Sequence, residues 1–365
     1  MPRNLMICFD GTCNHPSDAK QEREWFGLGD IEDNGITNIL KLHLFFGGNL
    51  SNSSILNTDV YNGCDEQQSF YYSGVGTYGN KIQKIFNAGF APEKLDVGRI
   101  IKNAIHDLKS TYVEGDKLYI FGFSRGAAIA RRFASVIDQY IEFTDKTPIT
   151  FLGVFDTVAS IGVPNLNNED KPISDVIFEN NKISARIASA LHLLALDEKR
   201  TAFMPTLMDD EEKVNEVWFS GAHADVGGGF WYDGLSDISL EFLIKWLNEH
   251  HSNVKILDTD EVDYNELKAL DGSYTIDKED LLILPNVKGT SHAQDRWWPI
   301  AKTTLSTRDI RVNSPVSTSS HPILHPSIIT RFHDVDGYRP KALKGKKHTL
   351  LDDSNKIFTG LNDHR

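Results

Sequence analysis

Five residues carry the strongest chemical signal: Gly122-Phe123-Ser124-Arg125-Gly126 sets a serine between two glycines in a G-x-S-x-G pattern. A serine hydroxyl is a weak nucleophile at neutral pH. It attacks a carbonyl only when a base takes its proton and an acid orients that base. The apolar run Lys117 to Phe123 (KLYIFGF) reads as a buried strand, and Arg125 to Ile141 reads as a helix. A strand-to-helix elbow holds the serine in a strained turn and projects its oxygen at the carboxyl end of a sheet. Gly122 and Gly126 remove side chains that would collide in such a turn. The start of the following helix adds partial positive charge where an oxyanion would form.

The partners in this arrangement follow later in the chain, acid first and then histidine, at the ends of later strands. Asp156 ends the apolar run Pro148 to Phe155, and His223 lies just past Val214 to Gly221 (VNEVWFSG). Both therefore fall at the edge of the sheet that carries Ser124, where ligands gather in open α/β sheets. Three glycines, Gly227 to Gly229, let backbone pack close behind the His223 ring. Asp225 is a rival to Asp156 as orienting acid, because side chains two apart in an extended segment point the same way. Asp156 is preferred for its place at a strand end, and the choice stays open at this point. At the first strand's end, Asp10-Gly11-Thr12 offers the N–H groups of Gly11 and Thr12. With the N–H of Arg125 these can form an oxyanion hole, and Asp10 can brace the loop by accepting backbone N–H bonds. The carboxylates Asp10, Asp156 and Asp225 match no metal-ligand spacing, so neither a metal nor a cofactor is expected.

Positioning these groups requires strands alternating with helices. Asn4 to Asp10, Ser69 to Val75, Lys117 to Phe123, Pro148 to Phe155 and Val214 to Gly221 read as strands. Ile36 to Phe46, Glu93 to Tyr112, Arg125 to Ile141, Ile183 to Leu196 and Ser236 to His251 read as helices. Near-continuous apolar strands between helices predict a mostly parallel central sheet covered on both faces, and the serine elbow on such a sheet makes the expected fold α/β-hydrolase-like. The expected organisation is a catalytic core over 1–255, with insertions at about 13–65 and 160–213. The second insertion can act as a lid or pack on the sheet. An irregular lobe over 256–365, including Trp297 and Trp298, would pack on that core, and the chain is expected to fray from about Lys341.

Composition narrows the partners. The chain has 365 residues, and 38 Lys and Arg against 51 Asp and Glu give a net charge of −13. That argues against nucleic acid, which needs a concentrated basic face. Cys8, Cys13 and Cys64 are too few and too irregular for a disulfide scaffold or a thiolate zinc site. The N-terminal apolar run is too short for a signal peptide, and no stretch is long enough to span a membrane. The expectation is a chain made in the cytoplasm, with export requiring a route free of signal peptides.

With those residues placed, the chain resembles the catalytic domain of the first family of type VI secretion phospholipase effectors. The resemblance rests on CFDGT (8–12), YYSGVGT (71–77), FGFSRGA (121–127), GVFDTV (153–158), ALDEKRTAF (195–203), VWFSGAHADVGGGF (217–230) and HPSIITR (325–331). It implies Ser124 as nucleophile, Asp156 as acid and His223 as base, acting on the ester bonds of phospholipids. It also implies a lipid or small ester substrate and, as partners, a secretion adaptor or immunity protein. Two alternatives stand beside an esterase: a thioesterase, amidase or acyltransferase on the same triad, and a non-catalytic binding module in a secretion or defence assembly.

Overall fold

A strand that is apolar on both faces has to lie between two covering layers, and the computed structural model is built on such strands. It describes residues 2–11, 35–50, 66–74, 94–159, 182–267, 276–293, 305–314 and 320–364. Thr12, Cys13, Cys64, Trp297, Trp298 and, within the two expected insertions, residues 13–34, 51–65 and 160–181 lie outside the described residues. Nine strands form one sheet among the described residues: β1 (Asn4–Phe9), β2 (Gln67–Tyr72), β3 (Lys117–Phe123), β4 (Ile149–Phe155), β5 (Ile187–Ala195), β6 (Val214–Phe219), β7 (Ile323–Leu324), β8 (Lys347–Leu350) and β9 (Asp353–Thr359). Their spatial order is β2-β1-β3-β4-β5-β6-β7-β8-β9. Every neighbouring pair is parallel except the closing β8–β9 hairpin.

Strand alternation divides the core into two layers. Met6 and Cys8 of β1 join Phe121 and Phe123 of β3 beneath α1 (Asn38–Phe45) and, further on, α5 (Gly234–His250). Leu5, Ile7 and Phe9 point the other way and pack with Leu118 and Ile120 under α2 (Lys94–Thr111) and α3 (Arg125–Val136). Between β6 and α5 lies the five-residue helix α4 (His223–Gly227). Thr37 caps α1 by accepting the Leu40 N–H at 3.1 Å. The buried Lys41 of that helix is held by Asp233 at 2.6 Å and Asp237 at 3.0 Å, partners that a buried cation requires. No helix among the described residues is long and apolar enough to cross a membrane.

Two expectations are corrected. The helix expected over Ile183 to Leu196 is the strand β5. Its segment ISARIASALHLLAL satisfies helical spacing, but periodicity cannot separate a buried helix from a strand buried on both faces. Pairing with β4 on one side and β6 on the other satisfies the backbone and buries Leu191, Leu193 and Leu194 completely. The second correction concerns the C-terminal region. Residues 323–359 are not an irregular lobe with a fraying end but extend the sheet as β7, β8 and β9, with α6 (Ser327–Asp334) between β7 and β8. β7 and β8 are short, and β9 is exposed along most of its length, so the apolar signal that marks central strands is absent.

Candidate active site

The turn from β3 into α3 places Ser124 at φ 58°, ψ −121°, a backbone conformation that side chains rarely adopt. The surroundings enforce it. The Ser124 N–H donates to Phe155 O at 3.0 Å, and Ser124 O accepts the Val158 N–H at 3.1 Å, tying the elbow to the end of β4. A Cβ at Gly126 would lie 2.2 Å from Phe9 O and 2.3 Å from Asp10 O, and one at Gly122 2.6 Å from Ala127 Cα. Only glycines permit this approach of α3 to the end of β1.

Asp156 follows β4 at φ 38°. Its N–H donates to Leu193 O at 2.7 Å, and its Oδ1 accepts the Ala195 N–H at 3.0 Å, so β5 fixes it at both ends. His223 begins α4. Its Nδ1 lies 2.6 Å from Asp156 Oδ2 and its Nε2 2.7 Å from Ser124 Oγ. An ionised carboxylate only accepts, so Nδ1 carries the proton and Nε2 accepts from the Ser124 hydroxyl. The imidazole lies against Phe123, 4.6 Å between ring centroids, and meets Phe203 edge-on at 4.9 Å. Burial holds the His223 imidazole below its ordinary pKa, against the pull of Asp156.

Arg308 completes the cluster. Its guanidinium forks onto Asp156, NH1 to Oδ1 at 2.5 Å and NH2 to Oδ2 at 2.7 Å, with both side chains fully buried. NH1 also donates to Ala195 O and NH2 to Phe203 O, each at 2.6 Å. Burial alone would raise the Asp156 carboxyl. The Arg308 charge and hydrogen bonds, with those of His223, outweigh it and hold the group well below the usual carboxylate range. Glu198 accepts the His223 backbone N–H at 3.2 Å and binds Arg200 through both oxygens. Burial would raise the Glu198 carboxyl too, but Arg200 carries it down to about 2.

The remaining expected residues have other partners. Asp225 does not reach His223. It accepts the Ala222 N–H at 2.8 Å and the His292 Nδ1–H at 2.6 Å. The segment is helical rather than extended, and residues two apart on a helix diverge. Asp10 braces its loop through the Thr37 hydroxyl at 2.7 Å and the Tyr71 hydroxyl at 2.6 Å. It also takes the Gly11 N–H at 2.6 Å, so that donor serves a buried carboxylate instead of facing Ser124. Arg125 opens α3 directly after Ser124, and Thr12 lies outside the described residues. Among the described residues no three His, Cys, Asp or Glu side chains converge as a metal site.

Beside the cluster a cavity of about 410 Å³ shares two of its wall residues, Glu198 and Arg308. Sequence reasoning gave no site role to Arg308, Glu198 or Arg200, and it placed Phe203 only within the second insertion as part of a candidate lid. Glu198, Arg200 and Phe203 stand in ALDEKRTAF, a segment that also carries the family resemblance. Arg308 is 152 residues from Asp156 and belongs to no local pattern.

This sheet, with a serine elbow at its carboxyl edge and a histidine and an acid from later strand ends, defines an α/β-hydrolase-like protein. Residues 3–141 and 138–246 match the family described as "T6SS, Phospholipase effector Tle1-like, catalytic domain", and the chain belongs to that family. An uncharacterized protein of Saccharomyces cerevisiae is 25% identical over 258 residues, covering 55% of this chain and 32% of its own length. Among solved structures, an uncharacterized protein from Pseudomonas aeruginosa aligns with TM-score 0.43 and 16% identity over 79% of this chain and 49% of its own. The Tle1 effector bound to the VgrG spike of the type 6 secretion system aligns with TM-score 0.35 and 21% identity, over 63% and 51%. The chain thus spans about a third of the curated relative and about half of each of these solved chains.

Proposed function

We propose that this protein hydrolyses carboxylic ester bonds of lipids through Ser124, His223 and Asp156. The observation that carries the reading is the 2.7 Å contact between the Ser124 hydroxyl and His223 Nε2, made from a strained elbow. His223 takes the Ser124 proton as Oγ attacks the ester carbonyl. Asp156 holds the ring in the tautomer that accepts it and stabilises the imidazolium that results. The imidazolium then protonates the leaving alcohol. Water, deprotonated by the same ring, attacks the acyl-enzyme and releases the acid. The Arg125 N–H at the start of α3 is the proposed oxyanion donor, with the Thr12 N–H suggested by the sequence as a second donor. The phospholipase description of the family supports a phospholipid as the ester, and its description as an effector supports a secretion adaptor or an immunity protein as partner.

The test is hydrolysis of a short-chain p-nitrophenyl ester and of phospholipid vesicles, wild type beside Ser124→Ala. Loss of both activities in the variant, together with fluorophosphonate labelling of the wild type alone, is expected. Near-full activity in the variant overturns the reading.

A further inference from the structure

The Asp156 carboxylate serves two donors at once, a neutral imidazole and a guanidinium. Its Oδ2 accepts from His223 Nδ1 at 2.6 Å and from Arg308 NH2 at 2.7 Å. A carboxylate that only oriented a histidine would not need a buried arginine, and a buried ion pair is costly unless its geometry is strict. Here it is strict. The guanidinium makes four hydrogen bonds of 2.5–2.7 Å, two to Asp156 and one each to Ala195 O and Phe203 O. Those acceptors belong to the strand end that also fixes Asp156 and to the aromatic residue that touches His223. The segment bearing Arg308 is pinned to the same loop: the Ser306 N–H donates to Lys199 O at 2.7 Å, Leu305 bridges Arg200, and Asn313 Nδ2 donates to Asp209 Oδ1 at 2.7 Å. It lies beyond the last family-matched residue, 246.

We infer that Arg308 is a positioning residue of the ester-cleaving site, fixing Asp156 in its left-handed conformation and setting the pH at which His223 becomes the working base. The inference rests on the triad reading above and adds a fourth member to it. The electrostatic part follows from charge counting in a buried site. With Arg308 present, the resting cluster of neutral imidazole, carboxylate and guanidinium sums to zero, and protonating His223 makes it +1. Without Arg308 the resting cluster is −1, and protonating His223 neutralises it. Removing the guanidinium therefore favours the imidazolium and raises the pH needed to keep the base free. The other charges near His223 are Glu198, at its backbone N–H, and Arg200, which neutralises Glu198 and lies 3.6 Å from the Phe203 ring centroid. Neither residue is substituted in the variants below.

The geometric part separates from the electrostatic part by choice of substitution. Arg308→Met removes charge and fork, whereas Arg308→Lys keeps a charge but cannot span both carboxylate oxygens. With a short-chain ester, Arg308→Met is expected to lower kcat roughly 100-fold and to move the acid limb of kcat/KM up by about one pH unit. Arg308→Lys is expected to lower kcat roughly tenfold while its acid limb stays at the wild-type pH. Thermal melting of both variants accompanies the kinetics, and if Arg308→Met does not fold, the lysine variant decides. A lysine variant with wild-type kcat overturns the inference. So does a methionine variant whose acid limb coincides with that of the wild type, since that is the signature of a merely structural residue. Ser124→Ala run alongside tells the two failures apart: an active serine variant sinks the triad reading, and an inactive one with unmoved arginine profiles sinks only this inference.

Discussion

Two histidine–aspartate pairs sit on opposite sides of one short helix. Both have Nδ1 2.6 Å from a carboxylate oxygen: His223 with Asp156 and His292 with Asp225. Distance does not distinguish them, but their surroundings do. The other ring nitrogen of His223 meets the hydroxyl of a serine held at positive φ, between Phe123 and Phe203. The ring of His292 lies flat on Phe230, 3.7 Å between centroids. Its carboxylate, Asp225, also takes the backbone N–H groups of Ala222 and His292 itself. On the proposed reading the first pair offers a base to a nucleophile. The second is a clamp that holds residues 291–293 against the turn into α4. A third pair, His192 with Glu216 at 2.8 Å, is also structural: His192 Nε2 accepts the Thr157 N–H and so steadies the residue after Asp156. A carboxylate–imidazole contact therefore says little until the group facing the remaining nitrogen is known.

The sharpest way to break the contrast is at the nucleophile. Ser124→Ala and His223→Ala are each expected to cut kcat for ester hydrolysis by roughly 10³-fold or more, measured under saturating substrate. His292→Ala is expected to cost less than about fivefold in the same assay. Comparable losses at His223 and His292 would erase the distinction between base and clamp.

The two acids give the next largest effect. Asp156→Asn keeps the shape but presents an amide that favours the wrong tautomer of His223, so a fall in kcat of roughly 10²- to 10⁴-fold is expected. Asp225→Asn is expected to leave kcat within about tenfold and to show instead as a lower melting temperature, because a buried acceptor of four hydrogen bonds is weakened, at a cost of about 1–3 kcal/mol. Kinetics and melting curves on both variants check this. An inactive, fully stable Asp225→Asn protein would move the orienting role to Asp225.

How these two acids looked in the sequence shows what is legible there and what is not. The elbow was legible, because glycines at 122 and 126 and an apolar strand before them are local facts. Asp156 was legible as the residue ending a strand. Asp225 looked like a competitor only because GAHADVGGG reads as extended, and α4 turned its side chain away. Gly11 looked like an oxyanion donor until a buried Asp10 claimed its N–H. Arg308 could not be seen, since nothing local marks an arginine in LSTRDIRVN as the partner of a carboxylate 152 residues earlier. The same limit hid β5 and β7–β9. The first is a strand by virtue of its neighbours, and the last three are too short or too exposed to carry a core pattern.

The smallest effect expected is a shift on the pH axis, and its sign follows from which form of His223 works. Only the neutral ring accepts the Ser124 proton, so activity falls as pH drops through the pKa of His223. Burial against Phe123 and Phe203 disfavours the charged ring and holds that pKa below the ordinary 6.5, even though Asp156 pulls the other way. The acid limb of kcat/KM for the wild type is therefore expected below pH 6.5, with activity retained where a solvent-exposed histidine would already be protonated. Phe203→Ala opens one face of the ring to water and relieves part of the desolvation, so its acid limb is expected to move upward, toward 6.5. Phe230→Ala does the same to His292, which is not the base, and is expected to leave the limb where it was. A pH–rate profile of the three proteins on one ester decides the matter, and a shift with Phe230→Ala as large as that with Phe203→Ala would mean that the clamp, too, sets the protonation of the site.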